Sequence, residues 1–365
     1  MVANQPNFII TFKELAVAAI QKQKLGKVIM ILDDSTTEID RVSYKTLGDV
    51  KTTDWTADNY NLITLVFLGN PSEVICIKKE EQFADIQKKL NYYTGYVLVY
   101  PDAIDADFTS IKNYLNAQRQ RNNYSIAILG NPTTAPDAQY IINFATTGIK
   151  ANLNGAQKDL TPGDFTARVA GAFSGLPNSR SLTYYELPEV FDCDLQEDPD
   201  EAVADGKLII IQQDGSFKLG RGVNSLTTLT DGVTEAFQKI RIANIMDMIA
   251  NDIITTFRTT YVGKYVNNYS NKLRFVGAIN AYLNDLASNG LLESANQNKV
   301  RISYDKNKQY LEAKGKDTSN MSYQDIIQAN TVSNVFLDGV CSPTDTMEDL
   351  DLGMYLFESF EDENA

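Results

Sequence analysis

The sequence predicts an α/β (α+β) chain, with a layered α/β domain first, an α+β domain behind it and a strand-like segment at each end. Three observations carry that reading. Between residues 57 and 146, short apolar runs alternate with stretches of helical periodicity. At 207–222 two apolar runs flank Asp214-Gly215, and two amphipathic helices follow. At 7–12 and 348–357 apolar residues recur at every second position, and no turn returns either segment to a neighbour.

Taken in order, residues 7–12 set Phe8, Ile10 and Phe12 against Asn7, Ile9 and Thr11, which is strand spacing. Residues 13–25 are expected to form a short helix broken at Gly26. VIMIL (28–32) reads as a buried strand ending at Asp33-Asp34. LITLVFL (62–68), EVICI (73–77), YVLVY (96–100), SIAIL (125–129) and QYIINF (139–144) read as strands. KEEQFADIQKKL (79–90) and DFTSIKNYLNAQRQ (107–120) read as helices, with Phe83, Ile86 and Leu90 on one face. Apolar strands alternating with helices point to a partly parallel sheet. Leu68-Gly69-Asn70-Pro71 and Leu129-Gly130-Asn131-Pro132 read as one strand-ending turn used twice. Neither a Walker-type phosphate loop nor a Gly-x-Gly-x-x-Gly fingerprint is present, so the turn is taken as structural rather than as the rim of a nucleotide crevice.

Residues 162–177 are expected to form a short helix, with Pro162 near its start and Gly175 and Pro177 beyond its end. Ala167, Ala170, Gly171 and Ala172 permit close backbone packing there. The acidic stretch 192–205 reads as a solvated segment leading into a short helix. Lys207–Ile211 and Phe217–Gly222 around Asp214-Gly215 form a hairpin pattern. Arg221, between two glycines, suits either an anion site or a structural pair with a carboxylate, and the structural role is favoured. A helix at 235–258 carries the stripe Ile242, Met246, Ile249, Ile253, Phe257. A second at 272–289 carries Val276, Ile279, Leu283 and Leu286 and stops at Gly290. Val300, Ile302 and Tyr304 suggest a strand, 322–330 a short helix and 335–340 a strand. At the end, Leu350, Leu352, Met354 and Leu356 alternate with Asp349, Asp351, Gly353 and Tyr355.

Composition removes several function classes. A chain of 365 residues with 43% hydrophobic content holds two or three packed domains. A net charge of −14 argues against nucleic acid and anionic lipid as partners. Histidine is absent, which removes the commonest general base and metal ligand. Cys76, Cys193 and Cys341 are far apart and form no metal-binding pair, as in a chain kept in a reducing compartment. No catalytic, cofactor or metal residue is assigned. The first residues lack a signal-peptide pattern, and no apolar run is long enough to span a membrane, so assembly in a bacterial cytoplasm is expected.

KLGRGVNSLTTL (218–229), FQKIRIANIMDMIANDIITTF (237–257) and YVGKYVNNYSNKLRFVGAINAYLNDL (261–286), preceded by ARVAGAFSGLPNSRSLTY (167–184), resemble in this order the C-terminal core of contractile tail sheath proteins. These occur in phages, R-type bacteriocins and related injection systems, and the short Firmicutes-type sheaths are the nearest in pattern. The resemblance implies a structural subunit with no active site and no cofactor. It implies an N-terminal arm and short helix (1–22), an outer α/β domain (23–178), a sheath core beside the tube (179–345) and an acidic C-terminal arm (346–365). Such a subunit polymerises helically as stacked hexameric rings around a tail tube, then contracts to drive the tube through a target envelope. Its partners are neighbouring copies, the tube protein, the baseplate and the tail terminator, with no nucleic acid and no membrane contact of its own. It ends in the virion tail or in a released tail-like particle.

The arms of this family add strands to adjacent subunits, which would give that role to Phe8, Ile10 and Phe12 and to Leu350, Leu352, Met354 and Leu356. From the residues alone, edge strands of one monomeric fold serve equally well. The N-terminal end carries Lys13, Lys22, Lys24 and Lys27 against Glu14 alone, whereas 342–365 contains eight acidic residues and no Lys or Arg, a complementarity that favours head-to-tail contact. A basic island, Lys306, Lys308, Lys314 and Lys316 with Lys272 and Arg274 nearby, is a candidate for an acidic tube surface. The rival functions are a nucleotide- or sugar-binding α/β enzyme and a closed oligomeric scaffold or shell protein.

Overall fold

A computed structural model of the chain describes residues 19–20, 26–294 and 297–354. In chain order the first lobe contains β1 (Lys27–Leu32), β2 (Arg41–Tyr44), α1 (Ala57–Phe67), β3 (Glu73–Lys78), α2 (Phe83–Leu90), β4 (Val97–Val99), α3 (Asp105–Gln120), β5 (Ile126–Gly130) and β6 (Ile141–Phe144). It continues with β7 (Thr147–Leu153), β8 (Ala156–Leu160), α4 (Pro162–Gly175), β9 (Val190–Asp194), α5 (Pro199–Ala204), β10 (Lys207–Leu208), β11 (Ile210–Gln213) and β12 (Ser216–Leu219). The second lobe contains α6 (Ile240–Thr256), α7 (Tyr269–Ser288), β13 (Lys299–Ile302), α8 (Tyr304–Ala313), α9 (Tyr323–Gln328) and β14 (Leu337–Val340).

β1 shows why the first lobe is layered. Val28, Met30 and Leu32 enter one core with α1 and α4, while Ile29 and Ile31 enter another with α2 and α3. A strand buried on both faces must be apolar throughout, and such strands sit inside parallel sheets. The sheet has seven strands in the order β10-β6-β5-β4-β1-β3-β2, parallel apart from the antiparallel edge strand β2. Its outermost strand β10 comes from residues 207–208, so the sheet extends past position 178.

One predicted strand is a helix. LITLVFL forms most of α1, opened by Thr56, whose hydroxyl accepts from the Asn59 N–H. Leu62, Ile63, Leu65 and Val66 are buried against α4, and a buried helix shows no polar face for periodicity to detect. The close packing expected of α4 is present: a Cβ at Gly171 would lie 2.1 Å from the Val66 carbonyl oxygen, and one at Gly69 would lie 2.0 Å from the Gly171 carbonyl carbon. The Leu-Gly-Asn-Pro turn therefore follows a helix at 68–71 and a strand at 129–132. In both copies the Asn before Pro is left-handed, at φ 58° for Asn70 and 51° for Asn131.

The Asp214-Gly215 hairpin forms as predicted, with both residues at positive φ between β11 and β12. Residues 147–160 form the hairpin β7–β8, onto which β9 adds with the first residues of the acidic 192–205 stretch, three strands that the sequence reading did not assign. In the second lobe α6 and α7 bury Ile245, Met248, Ile249, Phe275, Ile279 and Leu283 in a shared core. Met246 of the expected stripe is only partly buried, and its Sδ lies 3.6 Å from Cys341 Sγ. Tyr304 does not extend β13 but opens α8, another element without a sequence expectation, capped by Ser303.

Candidate assembly surfaces

The C-terminal segment is fastened to its own subunit at Ser342 and Thr344, which bond to Asn298, Leu291 and Gly290, and again at Glu348. Glu348 has only 6% of its side chain exposed. Its Oε1 accepts from the Thr183 hydroxyl at 2.6 Å, its Oε2 accepts from Lys239 Nζ at 2.5 Å, and Arg221 Nε lies 3.8 Å away. Arg221 also pairs with Asp349, and Lys239 with Asp345 at 3.6 Å. The Gly-Arg-Gly corner explains the placement: the Gly222 N–H donates to Thr183 Oγ1, so the turn after β12 brings Arg221 and Thr183 to the same carboxylate. Of the two roles open to Arg221, the structure has the carboxylate pair, within one subunit. Burial raises the Glu348 pKa, but the hydrogen bonds from Lys239 and Thr183 and the charges of Lys239 and Arg221 outweigh it and hold the carboxyl below its ordinary value.

Beyond that clamp the segment leaves its subunit. Leu350, Leu352 and Met354 are 87%, 66% and 82% exposed. The strand expected from 348 onward is not formed in the single chain as far as residue 354, because a strand needs a partner ladder and none is supplied there. Phe8, Ile10, Phe12 and Leu356 lie outside the described residues.

The outer edge of β14 is open among the described residues. β13 pairs antiparallel with β14. The outer edge of β13 is closed by Asn280 of α7, whose side chain accepts from the Val300 N–H at 2.7 Å and donates to the Val300 carbonyl at 3.0 Å. Among the described residues no such side chain covers Gly339, opposite Val300 on β14, and no strand pairs with the outer edge of β14. Alternation in an antiparallel pair therefore turns the Gly339 N–H and C=O outward.

The basic set divides. Lys306 is exposed on α8 and pairs with Asp338 at 2.9 Å, and Lys308 lies 3.8 Å from Glu312 one turn on. Lys314 and Lys316 are exposed just past the helix, with the Lys314 ammonium 5.8 Å from the centre of the Tyr310 ring. Arg274 is half-buried and donates to Asn271 Oδ1. Lys272 is a correction: it is buried, donating to Thr331 Oγ1 at 2.8 Å and to the Ala329 carbonyl at 3.4 Å, so it does not join the exposed basic set. At the start of an amphipathic helix its position did not reveal that the 329–334 turn folds over it.

The sequence reading also missed the join between the lobes. Arg119 of α3 makes two hydrogen bonds to Asp247 of α6, at 2.6 and 2.7 Å, with its guanidinium about equally far from the Tyr124 and Tyr140 rings, at 4.9 and 5.0 Å. Next to it, the Asn251 side chain both accepts from the Tyr124 N–H and donates to the Tyr124 carbonyl. Burial raises the Asp247 pKa in spite of Arg119. The one available signal was an aspartate within the apolar run IMDMIANDII.

Among the described residues no group of three or more His, Cys, Asp or Glu is placed to hold a metal, and no helix is long and apolar enough to cross a membrane.

Comparison with known proteins gives a consistent result. Residues 233–356 match the family model "Phage tail sheath C-terminal domain". The chain is 34% identical over 361 residues to the tail sheath protein of Clostridium phage phiCD119, covering 95% of this chain and 98% of that one. A sheath tail protein from Desulfitobacterium hafniense superimposes with a TM-score of 0.67 at 15% identity, covering 82% of this chain and 94% of that one. The helical sheath of the anti-feeding prophage in its contracted state superimposes with a TM-score of 0.69 at 14% identity, covering 97% and 99%. The fold is thus shared across the whole length, and the phage relative is close enough in sequence to settle kinship: this chain belongs to the tail sheath protein family.

Proposed function

We propose that this chain is the repeating subunit of a contractile sheath, polymerising helically around a tail tube and contracting to drive the tube through a target envelope. One observation carries the reading. The same chain has an apolar, alternating segment that leaves its subunit at Glu348 and an unpaired strand edge at β14. A donor strand on one end and an acceptor edge elsewhere make a heterologous contact, which builds rings where the rotation closes and an open helix where it does not. The C-terminal arm (346–365) is the donor onto β14 of an adjacent copy, and the N-terminal arm with Phe8, Ile10 and Phe12 supplies a further strand.

The two lobes act as one rigid body, because Arg119–Asp247 and the Asn251–Tyr124 contacts lock them together. Contraction then repacks contacts between subunits, and its free energy is the difference between two lattices summed over many copies. No catalytic step or nucleotide enters this scheme. Lys306, Lys308, Lys314 and Lys316, with Arg274, form the surface offered to the tube. Exposed ion pairs contribute only about 0–1 kcal/mol each, which suits contacts that must release. Hexameric rings, baseplate and terminator contacts, and assembly in the host cytoplasm complete the reading. Negative-stain electron microscopy of the purified assembly tests it: tubes of two diameters are expected, and closed shells or a monodisperse small oligomer would overturn it.

A further inference from the structure

The second lobe holds a cavity of about 350 Å³ between the end of α6, the start of α7 and the 332–335 turn that leads into β14. Its floor is aromatic. Tyr261 lies 4.6 Å from Phe275 and 5.0 Å from Tyr265, ring centre to ring centre. Its rim carries Val262, Val266 and Val332, all exposed, and Val332 sits at φ +54°, a conformation that β-branched residues avoid.

Two polar groups in the wall lack the partners they call for. Lys272 reaches only the neutral oxygens of Thr331 and Ala329, and among the described residues no carboxylate pairs with it. Asn267 donates to the Val332 and Asn334 carbonyls, yet its buried Oδ1 receives no hydrogen bond. Exposed valines over an aromatic floor, with an uncompensated ammonium and an orphan acceptor, fit a peptide that brings an aromatic side chain, a carboxylate and a backbone N–H.

Charge identifies the peptide. Residues 253–284 contain Arg258, Lys264, Lys272 and Arg274 and no Asp or Glu. Residues 355–365, YLFESFEDENA, combine Phe357 and Phe360 with Glu358, Glu361, Asp362 and Glu363 and have no basic residue. The N-terminal residues 1–18 offer Phe8 and Phe12 but only Glu14, balanced by Lys13. The described part of the C-terminal segment turns its apolar side chains away from its own subunit, so the occupant comes from a second copy. A strand laid antiparallel along the outer edge of β14 would run from Val340 toward Leu337 and exit beside Val335, at the mouth of the cavity.

We infer that this cavity is the receptor for the aromatic–acidic end of a neighbouring copy's C-terminal segment, with Phe357 or Phe360 in the aromatic floor and an adjacent glutamate on Lys272. The inference rests on the head-to-tail reading above and deepens it: strand pairing at β14 supplies cohesion, and the cavity fixes register and copy orientation.

The test uses a fluorescein-labelled peptide of residues 353–365, titrated by fluorescence anisotropy into full-length protein diluted until light scattering shows single subunits. Saturable binding is expected, weakened by added salt. It should weaken at least tenfold when the peptide carries Phe357→Ala and Phe360→Ala. A similar loss is expected when the protein carries Val332→Glu, an exposed rim change whose circular dichroism should match the parent. Absence of saturable binding, binding indifferent to both changes, or displacement by a peptide of residues 1–18 overturns the inference. Microscopy of the same protein keeps the two readings apart: normal two-diameter tubes from full-length Phe357→Ala/Phe360→Ala protein reject the cavity and leave the sheath intact. Peptide binding by a protein that never forms tubes retains the cavity and rejects the sheath.

Discussion

Arg119 and Asp247, 128 residues apart, meet through two hydrogen bonds of 2.6 and 2.7 Å and fasten the α/β lobe to the helical lobe. Both side chains are nearly buried, at 13% and 10% exposure. A buried pair is weak evidence of net stability, because desolvation opposes the Coulomb gain, but removing one partner leaves a charge stranded. Asp247→Ala should therefore cost about 3–5 kcal/mol. Arg119→Met combined with Asp247→Leu should recover much of that loss. Chemical denaturation of the parent, Asp247→Ala, Arg119→Met, Asp247→Leu and the Arg119→Met/Asp247→Leu double measures both effects, and full additivity of the Met and Leu changes would show that the pair does not act as a unit.

The C-terminal clamp should open in acid. Glu348 has a folded pKa below its ordinary 4.5, so its contribution is complete above that value and is lost as pH falls through the lower folded one. Asp247 has the opposite sign: burial raises its pKa, so acidification costs the folded state no stability through this group. Hydrogen exchange of residues 340–354 should accelerate on acidification before the interlobe contacts around Asn251 do. Glu348→Gln should produce the same release at neutral pH, losing hydrogen bonds to a charged acceptor that contribute roughly 1.5–3 kcal/mol. Unchanged exchange in that variant would show that other contacts hold the segment.

Much of this organisation is readable from residues, and the exceptions share a physical cause. β1, β3, β4, β5 and β6 announce themselves because strands buried on both faces are continuous apolar runs. The Asp214-Gly215 hairpin, α4 with its Pro162 start and Gly175 end, and the apolar stripe of α7 are equally local signals. α1 was misread because an all-apolar run looks alike in a buried helix and a buried strand. The burial of Lys272, the Arg119–Asp247 join and the Asn280 cap on β13 depend on contacts between distant segments, which no local pattern encodes.

Deleting residues 1–12 should leave a folded subunit, by circular dichroism, that cannot build a connected sheath. Replacing Leu352 and Met354 with Asp should block polymerisation and leave the subunit's stability unchanged to within about 0.5 kcal/mol, since both side chains are exposed in the single chain. Unfolding of the subunit by the second change, or normal contractile tubes from the first, would remove the respective arm from the account.

Reversing Lys306, Lys308, Lys314 and Lys316 to Glu should give sheaths that form contracted and empty. The local fold should tolerate it, because the Lys306–Asp338 and Lys308–Glu312 pairs are exposed and contribute only about 0–1 kcal/mol each. Co-purification with the tube protein, read by electron microscopy, measures the effect. Extended, tube-filled particles in normal yield would exclude these four as the tube-facing set.

The central claim is that the C-terminal segment of one copy lies on the β14 edge of another. Two chains with one accessible cysteine each test it directly, one carrying Leu352→Cys and the other Val340→Cys, both in a Cys193→Ser, Cys341→Ser background in which the other remaining cysteine, Cys76, is fully buried. Mixed, assembled and mildly oxidised, they should give a disulfide-linked dimer containing one chain of each kind, since Val340 is exposed at the end of the open edge. Tubes of normal form with no mixed dimer would contradict the account.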